Sequence, residues 1–205
     1  MSTASSELSV RDSAVSRVSI RRYTDEAVTP DQIRDVVDIA RRAPSPYNIQ
    51  PWRVVAVTDP ATKERLKAAA YGQPQVGAAP VVFVIYTDMQ EMMDTVEETV
   101  HPGMGDQAKV KISAQLRGDY GGMSDEARGG FGRGQGYTFM GYLLLAAQSL
   151  GYGTSPMLGF DPAQVKEILG LPVHAEIPAL VSMGRPAEDG FPQFRHEVDR
   201  ILRIV

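Results

Sequence analysis

Arg41-Arg42-Ala43-Pro44-Ser45-Pro46-Tyr47-Asn48-Ile49-Gln50-Pro51-Trp52-Arg53-Val54-Val55-Ala56-Val57 is the stretch that decides the architecture. A helix ends at the arginines, a Pro-Ser-Pro-Tyr-Asn loop turns the chain, and Gln-Pro-Trp launches a β-branched strand. Three prolines fix φ and forbid helix, so the loop is stiff before it meets anything. A stiff loop rich in hydroxyl and amide groups suits a planar, polar-edged ligand held in one pose. The same residues also suit a plain helix-to-strand connection buried under its tryptophan.

Working outward, Thr29 caps the preceding helix, Pro30 takes its first position and Gln32 completes a Thr-x-x-Gln capping box. Ile33, Val36, Val37 and Ala40 form its buried face. An earlier helix is expected over about Leu8 to Val18, with Leu8, Val15 and Val18 as apolar contacts, behind a loose tail at residues 1–6. After the first strand (Trp52–Val57), Asp59-Pro60 opens a helix to about Ala70. Pro80 leads into Val81–Tyr86, a continuous apolar run that reads as a strand buried on both faces. Met89, Met92, Met93, Val96 and Val100 make an amphipathic segment whose acids (Glu91, Asp94, Glu97, Glu98) read as a solvated face.

Residues 101–136, dense in glycine, read as an irregular loop of the kind that forms a lid. Gln135–Leu150 is expected to be the central helix, with Gly151 as its C-cap. Gly151–Phe160 reads as a connection. Asp161-Pro162-Ala163-Gln164 opens another helix by a capping box, closed by Gly170. Ile177–Met183 is a further strand, and a last strand or arm lies near Val198–Val205. The order describes one α+β domain, 1–205, of one or two layers, with helices packed on a small sheet.

The totals narrow the function. With 205 residues and a net charge of −4, the chain has no general affinity for nucleic acid or anionic membrane. It has no cysteine, which excludes disulfides, thiol nucleophiles and thiolate metal sites. No secretory signal is visible at the N-terminus and the apolar runs are too short to span a bilayer, so a soluble, cytoplasmic protein is expected. Gly103-Met104-Gly105-Asp106-Gln107-Ala108 fits a dinucleotide fingerprint but no strand leads into it. His101, His174 and His196 are scattered, and no metal site is expected.

Three motifs carry chemistry. Arg17-Val18-Ser19-Ile20-Arg21-Arg22-Tyr23 puts Arg17 and Arg21 four apart, on one face of a helical turn, with Ser19 adding a hydroxyl. Two guanidinium forks and a hydroxyl make a competent phosphate clamp, although a basic helix end neutralising its own dipole uses the same residues. Gly151–Phe160 presents backbone beside glycines where a flat ligand can approach. Arg195 is a distant arginine able to close an anion site from another side.

Together these residues resemble the FMN-dependent nitroreductase family. The likeness rests on Arg17-x-Ser19-x-Arg21-x-Tyr23 and its spacing to Ala43-Pro44-Ser45-Pro46-Tyr47-Asn48-x-Gln50-Pro51-Trp52. It continues through Ala79-Pro80, Leu144–Gly151, Pro156–Phe160 and Gly184-Arg185-Pro186, covering nearly the whole chain except residues 1–8 and roughly 88–134. The resemblance implies an α+β fold with a central mixed or antiparallel sheet flanked by helices, an intertwined homodimer, FMN as cofactor, NADH or NADPH as donor and a small-molecule electron acceptor. It implies that Arg17, Val18, Ser19, Arg21 and Arg195 hold the phosphate and ribityl end, with Gln193 where a second basic residue is usual. Pro44, Ser45, Pro46 and Asn48 would line the ring from the other subunit, Gln73 its pyrimidine edge, and Met157 with the backbone of Leu158 and Gly159 the N5 region. No side chain is expected to act as a nucleophile. Leu158 departs from the acidic residue of many relatives. Residues 88–134 are expected to cap the substrate slot. A specialised flavin reductase or dehalogenase-like enzyme, and a non-catalytic flavin-binding module, are the rival readings.

Overall fold

Val81–Thr87 (β2) is buried almost end to end and carries the fold on both its faces. The structure is a computed structural model that describes residues 7–205. The tail reading at residues 1–6 lies outside them. In chain order the elements are α1 (Val10–Ser16), α2 (Pro30–Ala40), β1 (Trp52–Val57), α3 (Pro60–Ala69), α4 (Pro74–Ala78), β2, and α5 (Met89–Asp94). Then follow α6 (Asp106–Gly121), α7 (Asp125–Ser149), β3 (Gly153–Met157), α8 (Pro162–Leu169), β4 (Glu176–Gly184) and α9 (Val198–Ile201).

The sheet is antiparallel throughout, in the order β1-β2-β4-β3. In β2, period-two alternation sends Val81, Phe83 and Ile85 to one face and Val82 and Val84 to the other. The first set packs with Val36 and Ala40 of α2, Trp52, and Phe139, Leu143 and Ala147 of α7. The second packs with Leu66 of α3, Val76 of α4, Val165 of α8 and Phe160, which precedes α8. Helices therefore cover both faces, giving three layers rather than one or two. Trp52 stacks on Phe139 with ring centroids 5.5 Å apart, fixing the strand that the Pro-rich loop launches.

The Thr29 cap forms as the sequence indicates: its hydroxyl accepts from Gln32 N at 3.3 Å while the Gln32 side chain accepts from Thr29 N at 2.8 Å. Asp161 caps α8 by accepting from Ala163 N and Gln164 N, but Gln164 turns its amide onto the Asp161 carboxylate, so the box is not reciprocal.

Several expectations are corrected. Residues 101–136 are mostly helix, in α6 and the first half of α7. Ser124 caps α7, which begins at Asp125, ten residues before the expected start, with Asp125 and Glu126 favourable in its first turn. Two of its glycines serve close packing: a Cβ at Gly132 would meet Met89 at 2.8 Å, and one at Gly136 would overlap Pro178. Gly153–Met157 is a strand, not a connection, and Pro156 is tolerated because β3 is an edge. Helix α1 is shorter than expected, and Leu8 and Val15 are exposed. The tail near Val198–Val205 holds a single short helical turn and no strand.

Candidate functional site

Arg17 ends α1 with ψ at 118°, and the chain then runs extended along the free edge of β3. Ser19 bridges to Thr154 in parallel, and Ile20 N donates to Thr154 O at 2.9 Å. The expected helical turn is therefore absent. Extension still serves the clamp, since alternate residues 17, 19 and 21 share one side while Ile20 is buried.

Two residues hold this segment: Glu188, which sequence reasoning passed over, and Tyr23, the last residue of the motif. Glu188 accepts from Arg21 N at 2.6 Å and Arg22 N at 3.2 Å. Those bonds hold the Glu188 carboxyl below its usual range. The Tyr23 hydroxyl donates to Ile20 O at 2.6 Å and lies 2.8 Å from Ser182 Oγ. Burial pushes this phenol up to about 12, so it stays neutral. Glu188 and Asp189 form an ordinary acidic pair in a loop, which carries no local signal, and the role of Glu188 is legible only in three dimensions.

Arg17, Val18, Ser19, Arg21, Gln193 and Arg195 line one cavity of about 230 Å³ with Phe191 and Pro192. The phosphate-clamp residues of the sequence reading thus do meet. Arg17 is half-buried and its Nη1 is buried without a partner among the described residues. Burial first, and then the facing charge of Arg195, pull the Arg17 guanidinium below its ordinary pKa. A buried guanidinium nitrogen left unpaired beside a like charge is unfavourable until an anion arrives. Gln193 does not supply charge: its amide donates to Ala14 O at 2.9 Å and Arg17 O at 2.6 Å, tying the 191–195 stretch to the end of α1.

Thr154 begins the run of β3 that leads away from this cavity to Leu158, four residues on, or about 13 Å at strand rise. There Gln73 Nε2 donates to Gly159 O at 2.8 Å, and Gln75 Nε2 joins Gln73 Oε1 to Met157 Sδ. Gln73, Met157, Leu158 and Gly159 are therefore one cluster. The Gln73 amide keeps a second N–H for a ligand. Leu158 is 64% exposed. The turn before Gln73 closes α3: Gly72 N donates to Lys67 O and Tyr71 N to Ala68 O, a Schellman pair. Tyr71 holds the left-handed position of this cap, φ 55°, where a non-glycine residue costs about 1 kcal/mol.

The Pro44–Asn48 loop stands apart. Tyr47, Asn48 and Gln50 all have positive φ, and Ser45 Oγ holds the turn by accepting from Gln50 N at 3.0 Å. Ile49 plugs into a cluster with Met89, Met92, Val96, Leu116 and Tyr120, and Asn48 donates to Thr99 O at 3.2 Å. The loop precedes β1, one sheet edge, while Leu158 follows β3, the other edge. Three strand spacings, about 14 Å, separate those edges. Pro44, Ser45, Pro46 and Asn48 therefore do not join the Gln73–Gly159 cluster within one chain.

Among the described residues there is no group of three or more histidines and carboxylates placed to hold a metal, and no helix long and apolar enough to cross a membrane.

Residues 14–185 match the Nitroreductase family. The chain is 44% identical over 195 residues to a Thermus thermophilus NADH dehydrogenase, covering 95% of both. It is 29% identical to a Bacillus subtilis FMN reductase [NAD(P)H], over 83% of this chain and 63% of that one. Its fold is similar to that of an Exiguobacterium sibiricum protein crystallised in complex with FMN, with a TM-score of 0.89, 24% identity and coverage of 99% and 100%.

Proposed function

The chain belongs to the nitroreductase family, and from that premise we propose that it is an FMN-dependent oxidoreductase passing electrons from NAD(P)H to nitroaromatics, quinones or related planar acceptors. The observation that carries the reading is the buried Arg17 nitrogen, without a partner among the described residues and facing Arg195, a charge arrangement that fits a phosphate monoester. Ser19, held by its bridge to Thr154, adds a hydroxyl, and Arg21, whose backbone Glu188 holds, a second fork. From the clamp, β3 leads to Gln73, Leu158 and Gly159, which suit the polar edge of the flavin ring. FMN, when bound, supplies the two-electron relay, so no side-chain nucleophile is needed. Donor and acceptor use one slot in turn, a ping-pong cycle.

The site is completed by a second copy of the chain. Support comes from the separation of the Pro44–Asn48 loop from the cluster on the opposite sheet edge, and from the exposed apolar residues Val10, Val15, Phe194 and Ile204 of α1 and the tail. Residues 88–134 cap the slot, a reading supported by the seating of Ile49 and Asn48 against α5, α6 and Thr99. A cytoplasmic location suits the NAD(P)H requirement. Steady-state oxidation of NADH or NADPH by FMN-loaded protein with a quinone or nitroarene tests the reading. Turnover with alternating-substrate kinetics is expected; no turnover with any such acceptor rejects it.

A further inference from the structure

We propose that Tyr71 is a specificity-determining residue that, with Leu158, selects planar uncharged acceptors with apolar substituents. The inference rests on the flavin reading above and adds the acceptor class to it. Tyr71 stands at the left-handed position of the α3 cap, where glycine is the unstrained choice, and a glycine follows it immediately at φ 76°. The strained backbone presents a ring that is 74% exposed. Nothing in the packing of α3 needs that ring, since the helix buries Leu66 and Ala69 instead.

The ring is aimed at the site. A Cβ added at Gly159 would lie 3.9 Å from Tyr71 Cδ2 and 3.6 Å from Gln73 Nε2, so aromatic edge and amide converge on the same backbone. Gln73 fixes the distance between the two loops through its bond to Gly159 O. Leu158 stands next to Gly159, exposed and uncharged. An aromatic face and a branched aliphatic side chain flanking the ring end remove apolar surface from water and offer a charged substituent no partner. Strain kept at an exposed aromatic beside a ligand site is the pattern of a functional residue.

The test compares the FMN-loaded wild type with Tyr71→Gly and Tyr71→Phe, using menadione as the apolar quinone and a sulfonated naphthoquinone as the charged one. Tyr71→Gly suits the backbone conformation, so it folds, and its Tm rises by about 2 °C as strain is relieved. Its ratio of kcat/KM for menadione over the sulfonate falls about five- to tenfold, carried by KM, while Tyr71→Phe keeps the wild-type ratio. A ratio in Tyr71→Gly within twofold of the wild type overturns the inference alone. A wild type that takes up no FMN in a prior absorbance titration overturns the flavin reading, and this inference with it.

Discussion

Gln73 Nε2 and the Gly159 carbonyl, 2.8 Å apart, join the loop that ends α3 to the loop that ends β3. Two connections far apart in sequence thereby act as one edge of the proposed flavin site. Gln73→Ala removes the bond and leaves the Gly159 carbonyl to water. FMN affinity is expected to fall about tenfold, by the scale of one hydrogen bond. Isothermal titration with FMN measures it; an unchanged Kd would separate this edge from the cofactor.

Arg17 gives a prediction with two signs. Without an anion its buried nitrogen has no partner among the described residues and faces Arg195, so Arg17→Ala is expected to leave the flavin-free Tm equal or higher. The same variant loses most of the Tm rise that saturating FMN produces in the wild type. Arg17→Lys, lacking the planar fork, recovers only part of that rise. A large fall in the flavin-free Tm would mean that Arg17 is structural.

Tyr23 predicts the alkaline limb of stability. Its folded pKa, about 12, lies above the ordinary 10, so the folded state favours the protonated phenol. That contribution is complete below pH 10 and is lost as pH rises through 10 to 12, on the order of 2–3 kcal/mol. Tyr23→Phe does not titrate, and its stability curve is expected to run flatter than the wild type's in that window. Parallel curves in urea denaturation between pH 9 and 12 would contradict the assignment.

Glu188 holds the backbone of Arg21 and Arg22 without touching the cavity's arginine forks. Glu188→Ala frees the segment, and FMN affinity is expected to drop about three- to tenfold. Since the carboxyl is held below its usual range, the contribution is present at neutral pH and fades as pH falls through that lowered value. An FMN Kd in Glu188→Ala equal to the wild type's would remove Glu188 from the clamp.

The glycines of α7 separate into two kinds. Gly136→Ala drives a methyl into Pro178 and is expected to destabilise by about 1–3 kcal/mol. Gly130→Ala enters open space and is expected to stabilise the helix by about 0.5–1 kcal/mol. Equal effects in thermal unfolding would contradict the packing described.

The strands Trp52–Val57 and Val81–Thr87 were legible because β-branched runs bounded by proline have few alternatives. The caps at Thr29 and Gly170 were legible for the same reason, being local chemistry. The first half of α7 was hidden, since its glycines look like loop until Met89 is seen against Gly132 and Pro178 against Gly136. Strand β3 was hidden by Gly153 and Pro156, which only an edge position allows. The clamp residues were readable as a set, but their helical geometry was not: the bridge from Ser19 to Thr154, a partner far along the chain, sets the extended course. Glu188 and Tyr71 act through backbone contacts and strain that no residue pattern displays, and Tyr23, although part of the motif, shows its bonds to Ile20 O and Ser182 only in the fold.

The most direct measurement is the visible spectrum of the purified protein after FMN addition, followed anaerobically on adding NADH and then NADPH. The account predicts bound flavin whose band bleaches with at least one nucleotide and returns on adding a quinone. Protein that stays colourless, or flavin that neither nucleotide bleaches, would contradict it.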